Sequence, residues 1–67
     1  MEIQRRLARN LVRLREERGW SQEELAYQAG LHRTYVSGIE RRVRTPTIMI
    51  LDRLANAHGV KASTLIE

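Results

Sequence analysis

The segment Ser21 to Glu40, SQEELAYQAGLHRTYVSGIE, carries the clearest structural pattern of this 67-residue chain. It predicts a short helix, a tight turn at Gly30 and a second short helix. Ser21 can accept a hydrogen bond from the N–H of Glu24, and the Glu24 side chain can reach back to the N–H of Ser21, which together make a capping box. Gly30 can end the first helix sharply, because a residue without Cβ takes positive φ at little cost.

The second of these helices, predicted from about His32 to Arg41, has two chemically different sides. About 100° of rotation per residue puts Val36 and Ile39 together on an apolar side. The opposite side carries small polar groups and guanidinium groups. Arg can donate two hydrogen bonds to a guanine edge, and Thr offers bases a hydroxyl and a methyl group. We therefore expect DNA base readout from Arg33, Thr34, Ser37 and Arg41, the alternative being that each is an ordinary exposed helix position.

Gly38 stands inside this second helix, where it costs roughly 1 kcal/mol against Ala. A close approach of the DNA backbone, or of a neighbouring helix, would explain why a side chain is missing there.

The spacing of this stretch resembles the helix-turn-helix of phage repressor and Cro proteins, the XRE-like family. The resemblance runs from about Leu7 to Leu65, and the segment RTYVSGIER, Arg33 to Arg41, is most similar to the controller proteins of restriction–modification systems. It implies an all-α fold, a compact five-helix repressor-like domain in which helices 2 and 3 form the helix-turn-helix. The residues that carry the match are Gln22, Ala26, Gly30, Val36, Ile39 and Glu40.

The same resemblance implies roles for particular side chains. It implies that Arg15 pairs with Glu40 and so joins helix 1 to the end of helix 3, the alternative being two surface charges that never meet. It implies that Gln22 contacts a phosphate and braces the first groove residue of helix 3. At His32 the family usually has Ser or Asp, which are better N-caps, so the start of helix 3 stays open. The residues expected to contact DNA phosphates are Gln22, Tyr35, Arg42, Arg44 and Thr47.

Three further helices are predicted outside the central stretch. Helix 1 should span Met1 to Arg18, helix 4 Thr47 to His58, and a short helix 5 Val60 to Ile66. Pro46 prevents the third helix from continuing through the residue before it. Either Thr45 or Thr47 can cap helix 4, and the family pattern favours Thr47. The residues expected to face inward on helix 4 are Ile48, Leu51, Leu54 and Ala55.

Some apolar residues at the end of helix 4 and in helix 5 are left over after the inward-facing positions are filled. In the resembled family such residues commonly form a two-fold dimer interface, and here they are Val60, Leu65 and Ile66. The alternative is that all three close the core of the monomer.

Length and composition limit the function further. A chain of 67 residues fits one domain, residues 1–67, and with no Cys it has no disulfide or thiolate metal site. There are 12 Lys and Arg against 8 Asp and Glu, a net charge of +4, which favours a polyanionic partner. No apolar run approaches a membrane span and no signal peptide is recognisable, so we expect a soluble, cytoplasmic protein. No metal-ligand spacing, catalytic triad or phosphate-binding loop is present, and we expect no metal, no cofactor, no small-molecule ligand and no enzymatic activity.

The sequence thus predicts a sequence-specific transcriptional regulator that binds double-stranded DNA at a palindromic operator as a homodimer, and the narrower resemblance points to a controller protein. The alternative is an antitoxin or protein-interaction module with the same fold, whose basic face would meet an acidic protein.

Overall fold

The computed structural model describes residues 2–67, and over that range the chain forms five α-helices and no strand. The all-helical class and the order of the helices confirm the prediction. Met1, where helix 1 was predicted to begin, lies outside the described residues. The helices are α1 (Glu2–Glu17), α2 (Gln22–Ala29), α3 (Arg33–Glu40), α4 (Ile48–His58) and α5 (Ala62–Leu65).

One hydrophobic core receives side chains from all five helices. Its largest fully buried members are Leu11, Leu25, Val36, Ile39, Leu54 and Leu65. Leu65 was predicted to lie in a dimer interface, and that prediction is wrong, because its exposed fraction is 0% within a single chain. The short helix α5 turns this side chain into the core, whereas Val60 and Ile66 remain half-buried.

Local hydrogen bonds set where α2 begins. The Ser21 hydroxyl accepts from the N–H of Glu24 at 3.0 Å, as predicted. The return bond of the capping box is absent within residues 2–67, because the Glu24 carboxylate accepts from the Gln28 amide at 2.7 Å instead. A contact one turn along the helix therefore replaces half of the predicted box.

The starts of α3 and α4 are capped by side chains as well. His32 acts as the N-cap of α3, and its Nδ1 accepts from the N–H of Thr34 at 3.2 Å. Thr47 caps α4, with its hydroxyl accepting from the N–H of Ile50 at 3.1 Å. Thr45, the alternative cap, is hydrogen-bonded to the side chain of Gln4. The end of the loop between α3 and α4 is thus anchored at both Thr45 and Thr47.

The first turn of α4 departs from the prediction. Ile48 was expected to face inward, but it is 84% exposed, and Met49 beside it is 73% exposed. Ile48 precedes the buried Ala55 by seven residues, so it lies on the same side of α4, two turns nearer the start of the helix. At that distance from the core, no other helix of residues 2–67 covers it.

Two buried polar side chains join α1 and α4 to the ends of other helices. Asn10 is buried, and its amide donates to the carbonyls of Leu65 and Glu67, both at 3.0 Å. His58 is also buried, and its ring packs against Trp20 with 5.3 Å between ring centroids. The Arg18 side chain donates to the His58 carbonyl at 2.9 Å. No helix of the described residues is long and apolar enough to span a membrane.

The predicted ion pair between α1 and α3 is present and largely buried. Arg15 Nε lies 2.8 Å from Glu40 Oε2, and Arg15 Nη2 lies 3.1 Å from Glu40 Oε1. The third nitrogen of the guanidinium donates to the Trp20 carbonyl at 2.9 Å. Gln22 donates to Glu40 Oε1 at 2.9 Å, so it braces the last residue of α3. The family resemblance had implied that it braces the first groove residue of that helix.

We expect Arg15→Met to lower the free energy of unfolding by about 3 kcal/mol, because it leaves the Glu40 carboxylate buried without its cation. Urea denaturation of the two proteins measures the difference. Arg13→Met is the matched control, since Arg13 pairs with Glu17 on the exposed side of the same helix, and it should cost well under 1 kcal/mol. Equal losses in the two variants would contradict a special role for the buried pair.

The buried His58 ring should make stability depend on pH. Its pKa is lowered from 6.5, first by burial and second by the charge of Arg18. Well above pH 6.5 the ring is neutral in both the folded and the unfolded state, so it adds no pH dependence there. As the pH is lowered below that value, the ring takes up a proton in the unfolded chain before it does so in the folded protein. The free energy of unfolding therefore decreases, by at most about 1.4 kcal/mol per pH unit, until the pH reaches the folded-state pKa.

Urea denaturation between pH 5 and pH 8 measures this effect, and His58→Leu should flatten the slope below pH 6.5. His32→Asn removes the other histidine while retaining a capping side chain, and it should keep the slope. Identical slopes for wild type and His58→Leu would show that the ring is not the source.

Candidate nucleic-acid interface

The residues predicted to read DNA bases lie together on the outer side of α3. Arg33, Thr34 and Arg41 are exposed and Ser37 is half-buried. Two polar contacts on this side are made within the protein: Arg41 Nε donates to the Ser37 hydroxyl at 3.2 Å, and the Thr34 hydroxyl lies 2.8 Å from Nδ1 of His32. Within residues 2–67 the Arg33 guanidinium has no such partner. Thr34, Ser37 and Arg41 are thus oriented by contacts within the protein, whereas Arg33 is not.

The predicted phosphate-contacting residues border this surface. Arg42, Arg44 and Thr47 are exposed, whereas Gln22 and Tyr35 are half-buried. The amide of Gln22 and the hydroxyl of Thr47 are engaged in the contacts already described, one with Glu40 and one as a helix cap. Which of the five contact DNA stays a prediction.

α3 ends in a backbone motif that brings the chain back over the helix. The N–H of Arg42 donates to the Ile39 carbonyl and the N–H of Val43 donates to the Gly38 carbonyl, both at 3.0 Å. This is the Schellman pattern, in which one residue takes the left-handed conformation. α1, α2 and α4 use a glycine for it, but α3 uses Arg42, with a φ of 64°. A residue with a Cβ is strained there by about 1 kcal/mol or more.

Gly38 is explained by a neighbour that the sequence did not indicate. A Cβ at this position would lie 3.2 Å from Cβ and 3.3 Å from Nε of Arg44. The approach therefore comes from the loop after α3, and not from a neighbouring helix as one alternative had it. The Arg44 guanidinium continues over the ring of Tyr35, 5.0 Å from its centroid.

The charge of this surface is unbalanced. Four arginines make no ion pair with any carboxylate of the described residues: Arg33, Arg41, Arg42 and Arg44. The acid at the end of α3, Glu40, is paired with Arg15. Four unpaired guanidinium groups around one helix and its loop attract a polyanion, and that attraction weakens with salt.

The rest of the surface shows no comparable excess of one charge among the described residues. An open groove of about 660 Å³ runs between α1 and Arg42, but arginines and glutamates both line it, so it favours neither charge. No group of three His, Cys, Asp or Glu in residues 2–67 could hold a metal ion.

Comparison with known proteins agrees with this geometry. A family model described as helix-turn-helix matches residues 11–65. A hypothetical transcription factor of Neisseria meningitidis is 47% identical over 60 residues, which cover 90% of this chain and 57% of that protein. This chain therefore spans little more than half of that relative. A crystal structure of a Neisseria factor of that description has a TM-score of 0.93 at 43% identity, covering 97% of this chain and 75% of the other.

Two further solved structures are similar over nearly the whole of both chains. The restriction–modification controller protein C.AhdI from Aeromonas hydrophila has a TM-score of 0.88 at 35% identity, covering 92% of this chain and 94% of the other. SinR, a master regulator for biofilm formation that was crystallised in complex with DNA, has a TM-score of 0.85 at 32% identity, covering 91% of this chain and 98% of the other.

Arg42→Gly should make the protein more stable and weaken its interaction with DNA. Glycine relieves the positive φ at the end of α3, which should raise the free energy of unfolding by about 1 kcal/mol, while one unpaired cation is lost from the basic surface. Arg42→Ala is the matched control, because it loses the same charge without relieving the backbone. Urea denaturation and duplex binding at low salt would measure both effects, and a Gly variant no more stable than the Ala variant would contradict the strain argument.

Proposed function

Because the chain belongs to the helix-turn-helix family of transcription regulators, we propose that it binds a specific palindromic operator as a homodimer. The observation that carries the proposal is the outer side of α3, which is small, polar and flanked by unpaired arginines. A helix with such a side fits the major groove of B-DNA, where each base pair presents a distinct pattern of donors and acceptors.

Within this proposal the side chains divide the work of recognition. Arg33, near the start of α3, reads a guanine edge, and Thr34, Ser37 and Arg41 complete the readout. Arg42, Arg44, Tyr35, Gln22 and Thr47 contact phosphates on either side of the groove. Phosphate contacts set the register of the helix on the duplex, whereas base contacts choose the sequence.

Dimerisation supplies the affinity and specificity that one small domain lacks. A two-fold dimer would place two α3 helices in successive major grooves, about 34 Å apart. The exposed apolar residues that could be covered in such a dimer are Ile48 and Met49 on the first turn of α4. Val60 and Ile66, still partly accessible, remain from the predicted interface, and Leu65 no longer belongs to it.

The controller role is the narrower part of the proposal. A single domain of this fold makes up nearly all of C.AhdI, since this chain covers 94% of it. By analogy, the protein would regulate its own operon and a restriction endonuclease gene, acting in the cytoplasm and without enzymatic activity of its own. An antitoxin or protein-interaction module is the alternative, but the outer side of α3 has no exposed aromatic anchor of the kind that protein interfaces use.

Selection from random duplex DNA, followed by binding at several salt concentrations, tests the function. We expect a two-fold symmetric consensus, with half-sites about one helical turn apart, bound at least about a thousandfold more tightly than random duplex. Salt-sensitive binding without any consensus would contradict the proposal and favour the protein-interaction alternative.

The double variant Arg33→Ala with Thr34→Ala tests the assignment of base readout. It should weaken binding to the selected site by about 1–3 kcal/mol per protomer and relax the base preference there. Lys61→Ala with Ser63→Ala is the matched control, because it removes one charge and one hydroxyl at the start of α5, which packs mainly on α1 and α4. Unchanged preference in the first variant would refute the readout by these residues.

A further inference from the structure

We propose that Gly38 is a positioning residue for a DNA contact made by Arg44. The missing side chain at Gly38 lets Arg44 cross α3 and stack on Tyr35, so that its guanidinium is held beside the base-reading residues before DNA arrives. The inference rests on the proposed DNA-binding function and adds to it a residue that never needs to touch the duplex.

The first step of the argument is the path of the loop. The left-handed Arg42 reverses the chain, and the N–H of Val43 then donates to the Gly38 carbonyl at 3.0 Å. The Val43 side chain is 68% exposed, so this segment is held to α3 by its backbone and not by apolar packing. Arg44, the next residue, therefore begins its side chain directly over Gly38.

The second step is the space at Gly38. A Cβ there would come within 3.2 Å of Arg44 Cβ, which is closer than such carbon atoms normally lie. Arg44 Cβ is attached to the backbone and cannot swing aside as the far end of a side chain could. Any residue other than glycine must therefore displace the loop or the Arg44 side chain by some tenths of an ångström.

The third step is where the guanidinium ends. It lies over Tyr35, one turn before Gly38 on α3, with 5.0 Å between the guanidinium carbon and the ring centroid. Tyr35 is half-buried against the core, so the ring offers a fixed platform. Within the described part of the chain the guanidinium N–H groups have no acceptor, which leaves them available to a phosphate. A side chain ordered in advance loses less conformational entropy on binding.

The free protein provides the first test. In a stacked geometry, the ring current of Tyr35 shifts the NMR signals of the Arg44 side-chain protons upfield. We expect that shift in the wild-type protein and its loss in Gly38→Ala, in the absence of any DNA. An unchanged Arg44 shift in Gly38→Ala would overturn the positioning role.

The second test is a double-mutant cycle on binding to the selected operator, with Gly38→Ala, Arg44→Ala and the two combined. Gly38→Ala and Arg44→Ala should each weaken binding about three- to tenfold, and the slope of log affinity against log salt should fall by about one per protomer in Arg44→Ala. The combined variant should bind like Arg44→Ala alone. Lys61→Ala, a charge loss away from α3, is the control and should change neither quantity to that extent.

Three outcomes of the binding and folding measurements on the Gly38→Ala variants would overturn the proposal. One is unchanged affinity in Gly38→Ala; another is a combined variant that shows the product of the two single losses, since Gly38 would then act independently of Arg44. The third concerns folding, which thermal denaturation monitors: if Gly38→Ala unfolds and the combined variant unfolds too, the core and not Arg44 requires the glycine. A wild-type protein that selects an operator while Arg44→Ala binds it normally would refute this inference and leave the proposed function standing.

Discussion

The orientation of α3 depends on the buried contact between Arg15 and Glu40. α3 is only eight residues long, so its own hydrogen bonds cannot hold it in place, and its last residue is fastened to α1 by two charged hydrogen bonds. Burying two charges is costly unless their remaining donors and acceptors are satisfied. Here the carbonyl of Trp20 and the amide of Gln22 satisfy them, and these groups stand on either side of the start of α2. One network therefore fixes both helices of the helix-turn-helix against α1.

Two residues at the end of α3 depart from the conformational preferences of their residue types. Arg42 takes a backbone conformation that suits glycine, and Gly38 occupies a helical position that suits alanine. At each of the two positions the residue present is one that local propensity disfavours, which is expected where a tertiary contact or a function, and not local stability, selects the residue. Both departures have one geometric consequence: the chain reverses sharply and places Arg44 over Tyr35. The strain and the basic surface thus belong to the same structural feature.

Apolar residues show how little hydrophobicity alone says about surface and core. Leu65 and Ile48 are both large and aliphatic, and each lies opposite to its expected place: Leu65 is buried and Ile48 is 84% exposed. Asn10, a polar residue, is buried because its amide donates to the carbonyls of Leu65, the last residue of α5, and of Glu67. Each of these side chains is buried or exposed according to whether another helix covers it. A helix as short as α5 has too few residues to show a hydrophobic periodicity that would predict its buried side.

Residues within about one turn of each other were enough to predict the helical class, the cap at Ser21, the glycine turn and the two sides of α3, whereas the choice of Thr47 over Thr45 as the cap of α4 came from the family resemblance. The first four features are local, because a capping hydrogen bond or a helical face involves neighbours three or four residues apart. The Arg15–Glu40 pair was reached only through family resemblance. The tertiary structure alone decided the placement of Asn10, the packing of His58 on Trp20, and the passage of Arg44 over Gly38. Each of these joins atoms that meet only after the chain has folded back on itself, so no local pattern specifies them.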